Sequence, residues 1–151
     1  MLHTILGVAC FDPYFRRALF QDLTAALRDY SCYIGKIDSP LLKAITENKS
    51  LEPHFRGVTA QICHRPPCPP PPPRVLDVIG AALLDKSFRE QLFEHPIAAA
   101  KEHGFVLHYP ETYVLTSLLD GKNGVELKHA IEVLADKLPR VTEKVVECPA
   151  A

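Results

Sequence analysis

The chain has 151 residues, of which 47% are hydrophobic and 23% are charged, and this composition is that of an ordinary globular protein. Its formal net charge of -1 gives no general attraction for nucleic acid or for an anionic membrane surface. The N-terminus shows no secretory signal pattern and no apolar run reaches the roughly 20 residues of a membrane span, so we expect a cytoplasmic protein. The odd number of cysteines, five, argues against a closed disulfide framework and favours reduced thiols.

The first predicted unit spans residues 1–60 and consists of short helices. Residues 2–9 have the apolar character of one helix, and the Asp-Pro pair at 12–13 is a typical start of the next, because Asp caps a helix and Pro fits its first turn. The Ser-Pro pair at 39–40 repeats this signal before a third short helix. Residues 48–58 are polar and contain Pro and Gly, so the sequence predicts a loop or a weak helical turn there.

A segment rich in Cys and Pro, residues 61–74, is the predicted linker between two units. Its unbroken prolines at 69–73 cannot donate backbone hydrogen bonds and favour an extended polyproline II rod. We expect this stiff spacer to keep the two units apart. The residues after the second unit, 140–151, are predicted to form a tail.

The second predicted unit spans residues 75–139 and repeats the helical plan. A helix at 75–84 is followed by Asp85, which is placed to cap the next helix. Gly104 has the position of a residue that ends a helix in the left-handed conformation. Apolar residues at helical spacing predict a last helix over 125–138. The predicted fold is therefore all-α, with two similar small helical units joined by a proline-rich linker.

The two units share a sequence register, which indicates an internal duplication. Residues 78–93 match residues 5–20 without a gap, at a constant offset of 73 residues from Asp12 to Asp85. Matches that keep one register across apolar, acidic, aromatic and basic positions are typical of a repeat. In this repeat Gly80 is predicted to let another helix approach closely.

The second unit also carries a series of short motifs that resembles a known family. The motifs are Val78-Ile79-Gly80, Leu84-Asp85-x-x-Phe88-Arg89-x-x-Leu92, His95-Pro96-x-Ala98-Ala99, Glu102-His103-Gly104-Phe105 and Pro110-Glu111. They resemble the leader segments of ribosomally synthesised, post-translationally modified peptide precursors, whose leaders are similar to a nitrile hydratase alpha subunit or to a small nitrogen-fixation-cluster protein. The resemblance implies a small helical unit, here in tandem, that docks a modifying enzyme and is not itself catalytic.

One group of residues in the linker has the character of metal ligands. Cys63, His64 and Cys68 offer two thiolates and an imidazole, which together suit zinc or another soft cation. The sequence leaves three readings open: a zinc or haem site, a redox-sensitive disulfide, and two exposed thiols at the start of a linker. The last reading is favoured because no second cysteine pair follows.

No phosphate-binding loop, paired catalytic carboxylates or nucleophile elbow is present in the sequence, so we do not expect an enzyme. We expect a protein or peptide partner, such as a modifying enzyme, to bind an exposed apolar groove. The predicted groove residues are Phe15, Arg16, Phe88, Arg89 and Phe93. Arg16 and Arg89 either pair with an acidic group of the partner or cover the apolar face with their stems.

Two further hypotheses accompany this reading. One is a small metal-, haem- or redox-binding protein that uses the Cys63, His64 and Cys68 group. The other is a homodimer in which the first unit of one chain packs on the second unit of another, because duplicated units have matching faces and the linker is stiff.

Overall fold

The computed structural model describes residues 2–64 and 68–139 and is all-α over these residues. Its helices are α1 (Leu2–Phe11), α2 (Pro13–Gln21), α3 (Leu23–Asp29), α4 (Ser39–Glu47), α5 (Glu52–Ile62), α6 (Pro73–Leu84), α7 (Lys86–Glu94), α8 (Pro96–Glu102), α9 (Tyr109–Leu119) and α10 (Gly121–Lys137), with a 3-10 helix at Lys49–Leu51. Within these ranges no helix combines the length and the apolar character that crossing a bilayer requires. The predicted tail at 140–151 lies outside the described residues.

The predicted helix starts at Asp12 and Asp85 are confirmed. Asp12 accepts hydrogen bonds from the backbone N–H groups of Tyr14 and Phe15, at 2.9 and 3.2 Å. Asp85 accepts one from the N–H of Phe88 at 3.1 Å. Each carboxylate thereby satisfies a donor that the first turn of a helix leaves without an intrahelical partner. α2 and α7 consequently leave the preceding helix at the same kind of corner.

Replacement of Asp12 by alanine should lower the free energy of unfolding by about 1 kcal/mol, because two N–H groups lose their acceptor. Asp12→Asn keeps an acceptor oxygen at the same place and is the matched control, with an expected change below about 0.5 kcal/mol. Urea denaturation of the three proteins measures both effects. An equal loss in the two variants would show that the carboxylate charge, and not the cap, stabilises this corner.

Gly104 also has the predicted conformation. Its φ is +94°, in the left-handed region, and the N–H of Phe105 bonds the carbonyl oxygen of Ala100 at 2.9 Å. This bond closes the C-terminal end of α8 in the manner that glycine permits.

The predicted loop at 48–58 is wrong, because most of this stretch belongs to α5. Pro53 lies in the first turn of α5, where its missing N–H removes no intrahelical hydrogen bond. Gly57 lies on the exposed side of the helix, where it lowers helix propensity without ending the helix. Phe55 and Val58 are buried, and their contacts with the core outweigh these local preferences.

The two halves of the chain meet where α1 crosses α6, which is the most extensive helix pair of the fold. Gly7 in α1 lies against the backbone of Leu76, and Gly80 in α6 lies against the backbone of His3. A Cβ at either glycine would collide with a carbonyl oxygen of the other helix. The two contacts are related as by a two-fold axis, since each carbonyl belongs to the residue four positions before the opposing glycine. The predicted close approach at Gly80 is confirmed.

The expectation that the linker keeps the units apart is corrected by the same contacts. α1 packs on α6 and α5 packs on α10, so that both pairs join the halves within one chain. Cys63 and Cys68 lie only 5.8 Å apart at their Cα atoms, which brings the two ends of this part of the linker together. Pro72, with φ of -54° and ψ of 144°, is close to the polyproline II conformation and leads directly into α6. The homodimer stays a prediction, but the stiff linker no longer argues for it.

Candidate functional site

The two arginines that the sequence singled out are both buried and begin from the same local arrangement. Arg16 is 2% exposed, and its Nη1 donates to the carbonyl oxygen of Ala9 at 2.7 Å. Arg89 is 7% exposed, and its Nη1 donates to the carbonyl oxygen of Ala82 at 2.9 Å. Arg16 and Arg89 are 73 residues apart, and so are their acceptors Ala9 and Ala82. In each half the guanidinium therefore bonds the last turns of the preceding helix.

Arg16 makes further bonds that hold it within the fold. Its Nη1 donates to Thr59 Oγ1 at 2.8 Å, and its Nε donates to Glu52 Oε1 at 3.3 Å. The Thr59 hydroxyl in turn donates to the carbonyl oxygen of Cys10. Glu52 also pairs with Arg56 at 3.1 Å. The first guanidinium is thus neutralised by a carboxylate of α5 and tied to two helices.

Arg89 has no such partners among the described residues. The bond to Ala82 is its one hydrogen bond there, and it makes no ion pair. A guanidinium carries five N–H donors. No nitrogen of Arg89 is among the side-chain atoms of the described residues that are both sealed from water and without a partner, so its remaining donors are in contact with solvent. The second half therefore holds a buried cation whose Nε and Nη2 are available to a group that enters from outside.

Arg89 lines a groove of about 630 Å³ at the corner between α6 and α7. The C-terminal end of α10 forms another wall, and the first half contributes residues from α1 and α4. Its lining residues are Leu2, Asp38, Leu41, Leu83, Leu84, Asp85, Lys86, Ser87, Arg89, Ala135, Asp136, Leu138 and Pro139. We call this the Arg89 groove. Its walls combine leucine side chains with charged groups of both signs.

A second cleft, of about 530 Å³, lies beside Arg16. It is lined by the cations Arg17, Lys49 and Arg56 and by Glu52, whose carboxylate already bonds Arg16. Lys49 Nζ donates to the carbonyl oxygen of Phe20. Because Glu52 already bonds the Arg16 guanidinium, this cleft offers a ligand no free donor of that arginine. The Arg89 groove differs in this respect.

The predicted apolar groove of Phe15, Arg16, Phe88, Arg89 and Phe93 is not formed as a surface. Phe15 and Phe88 are each 2% exposed, because they pack inside the fold against Tyr30 and His103 at ring-centroid distances of 4.9 and 4.2 Å. Phe93 is half-buried, with Lys128 Nζ 5.9 Å from its ring centroid. Of the five, only Arg89 lines the groove described above.

The residues of the predicted metal site are partly brought together. Cys63 and Cys68 form a disulfide, which is the second of the three readings that the sequence left open. The described residues include no group of three or more His, Cys, Asp or Glu side chains arranged to hold a metal ion. The zinc or haem site with His64 stays a prediction that applies to the reduced pair, since a cysteine binds a metal as its thiolate.

The two free cysteines of the described residues differ in reactivity. Complete burial raises the pKa of the Cys10 thiol to about 12 from its ordinary 9.0, and burial also raises the pKa of Cys32, although to a smaller extent. An unfolded chain loses the Cys10 proton near pH 9, whereas the folded chain keeps it until about pH 12. Protonated Cys10 thus stabilises the fold below pH 9, and this contribution is lost as the pH rises from 9 to 12.

Alkylation at pH 8 should therefore modify Cys32 well before Cys10 in the folded protein, because the thiolate is the reactive species and Cys10 is also inaccessible. Peptide mapping by mass spectrometry after timed quenching measures both rates. In denaturant the two rates should become similar. Equal rates under native conditions would contradict the burial of Cys10.

Sequence reasoning missed several residues of these sites. Glu52 and Thr59 fall in or next to the stretch predicted as a loop, so their position beside Arg16 was not foreseen. Asp38, just before α4, and Asp136, in α10, are far apart in the chain, and no local pattern connects them with Arg89. A signal for Glu52 exists in retrospect, since an acidic residue in a first turn suits the dipole of a helix.

Comparisons of the chain with protein-family models, with curated proteins and with solved structures give no match.

Proposed function

We propose that the protein is a non-catalytic helical module that binds a protein or peptide partner in the Arg89 groove. The module consists of two duplicated units, and its resemblance to peptide-precursor leaders makes a modifying enzyme the kind of partner to test first. The proposal places it in the cytoplasm, where the glutathione pool would keep Cys63 and Cys68 reduced. The disulfide then marks a pair of thiols that are close enough to oxidise.

The order of helices supports the duplication. Among the described residues each half has five α-helices, α1 to α5 in the first and α6 to α10 in the second. In both halves an aspartate caps the second of these helices, α2 or α7. The arginine-to-carbonyl bond recurs at the offset of 73 residues in both halves. The pairing of glycines across α1 and α6 adds a tertiary feature that a copied unit would bring with it.

The observation that carries the binding function is the difference between the two copies. A duplicated arginine is satisfied internally at Arg16, whereas at Arg89 it faces a groove whose walls combine leucine side chains with charged groups. Binding sites for peptides and small molecules are typically concave and mostly apolar, with a few polar groups that fix orientation. Leu84, which is 38% exposed, supplies accessible apolar surface at this groove.

A selection from a displayed random-peptide library tests the proposal on the full chain. We expect enriched peptides to bind the purified protein and to lose most of their affinity for Leu84→Asp, which places a charge on the apolar wall. Val125→Asp is the matched control, because Val125 is a 64% exposed apolar residue of α10 that does not line the groove. Both variants must first show unchanged circular dichroism and thermal unfolding.

Three outcomes would count against the proposal: no enrichment over an unrelated helical protein, binding that survives Leu84→Asp, and equal losses in the two variants. The first removes the binding function, and the other two move it away from this groove.

A further inference from the structure

Glu52 bonds Arg16 inside the fold, and no described carboxylate has this role at Arg89. Glu52 reaches Arg16 from the start of α5, and α10 is the helix at the corresponding place in the second half. α10 begins with Gly121 and brings Ala135 and Asp136 to the groove near its opposite end. Neither Asp136 nor any other carboxylate of the described residues bonds the Arg89 guanidinium.

A buried guanidinium with free donors is the strongest recognition element of the groove. Carboxylates match guanidinium geometry and form charge-assisted hydrogen bonds that are about twice as strong as neutral ones. Such hydrogen bonds are stronger where little water is present, and Arg89 is only 7% exposed. The group that best replaces Glu52 at this second site is therefore another carboxylate.

The rim of the groove adds a second requirement. Asp38 and Asp136 line it, and neither forms an ion pair with a described residue. Asp85 also lines it but is engaged as the cap of α7. Lys86 lines the groove as well, so the lining carries both signs of charge. A ligand that carries a cationic group beside its carboxylate would be attracted at both places.

We propose that the Arg89 groove binds a peptide segment in which an acidic residue stands next to a basic one. Its carboxylate bonds Arg89, its cationic group faces Asp38 and Asp136, and apolar neighbours cover the leucine walls. This inference rests on the proposed function and names the class of ligand for that site. It assigns Arg89 as the residue that determines specificity.

Short peptides with blocked ends test the charge requirement directly. The probes are the acetylated, amidated tetrapeptides Leu-Glu-Lys-Leu, Leu-Gln-Lys-Leu and Leu-Glu-Met-Leu, titrated into the full chain by calorimetry or NMR. Loss of the carboxylate should weaken binding at least about tenfold, the range for a hydrogen bond to a charged group. Loss of the more exposed cation should weaken it about two- to fivefold.

The protein variants link this preference to Arg89. In Arg89→Gln the preference for the Glu peptide over the Gln peptide should fall to about one, while Arg89→Lys should keep part of it. Arg17→Gln is the control, since Arg17 is an exposed cation outside the groove and should leave the ratio unchanged. If Arg89→Gln does not fold, the ratio of the Glu and Gln peptides on the unaltered chain still decides.

Equal binding of the Glu and Gln peptides to the unaltered chain would overturn the inference. The inference would also be overturned if the full chain does not bind the Glu peptide but a chain truncated after Pro139 does. The chain's own C-terminal residues would then be the occupant of the groove. If peptides from the displayed library bind at the groove but show no need for a carboxylate, the inference fails and the proposed function stands. If neither those peptides nor the tetrapeptides bind, both fail.

Discussion

Replacing Gly80 by alanine should lower the free energy of unfolding by about 3 kcal/mol, at the upper end of the usual cost of overpacking. The added methyl group would meet the carbonyl carbon and oxygen of His3 and the backbone nitrogen of Gly7, and none of these can rotate away as a side chain would. α1 and α6 would have to move apart, and the buried side chains on either side of their crossing would lose contacts. Denaturation in urea, followed by circular dichroism, measures the change.

Gly57→Ala is the matched control for this substitution. Gly57 also lies within a helix, but a Cβ built there meets no atom within 4 Å. Alanine should therefore stabilise the protein by about 0.5 to 1 kcal/mol, because it favours the helix and restricts the unfolded chain. If both substitutions destabilise to the same extent, the cost at Gly80 does not come from the crossing of α1 and α6.

Replacing Arg16 by methionine should cost about 2 kcal/mol, since it leaves the carbonyl of Ala9 without this donor and removes one of the two arginines that pair with the partly buried carboxylate of Glu52. Arg89→Met should cost about 1 kcal/mol or less, because this arginine has a single described hydrogen bond to lose and methionine fills a similar volume. The order of the two losses is the essential expectation, as both are buried arginines that bond a carbonyl oxygen of the preceding helix.

Arg17→Met controls for the loss of a positive charge next to Arg16. Its side chain is exposed and makes no ion pair with a described residue, so the change should stay within about 0.5 kcal/mol. A loss at Arg89 equal to that at Arg16 would show that Arg89 is satisfied inside the folded chain. The argument for a ligand at the groove would then lose its basis.

The features that the sequence predicted well depend on neighbouring residues. Asp12, Asp85 and Gly104 act within one turn of their own helices, so cap chemistry alone placed them. The helix at 52–62 was missed for the opposite reason. Its proline and glycine are unfavourable signals locally, and only the burial of Phe55 and Val58 in the tertiary structure outweighs them.

The candidate site could not be predicted because its contacts are long-range. Arg16 lies 36 residues before Glu52 and 43 before Thr59, and no periodicity connects such positions. The predicted repeat did align Arg89 with Arg16. What it could not supply was the difference between them, which depends on what α5 and α10 each bring to the corresponding corner.

The contact between the halves was also beyond local reasoning. The prolines at 69–73 suggested separation, yet the glycines at 7 and 80 create matching surfaces on α1 and α6. Close backbone contact over these helices buries a continuous apolar surface, which stabilises the joined arrangement. The Cys63–Cys68 disulfide brings two points of the linker within 5.8 Å at their Cα atoms, so the whole linker is not one extended rod.

The most direct measurement for the account is an NMR titration of the isotope-labelled chain with the Leu-Glu-Lys-Leu peptide, observing the arginine side-chain Nε–H signals. We expect the Arg89 signal to move downfield as its donors bond a carboxylate, and backbone signals of residues 83–89 and 135–138 to shift with it. The Arg16 signal should stay in place because Glu52 already occupies it. A shift at Arg16 with none at Arg89, or changes confined to residues outside the groove, would contradict the account.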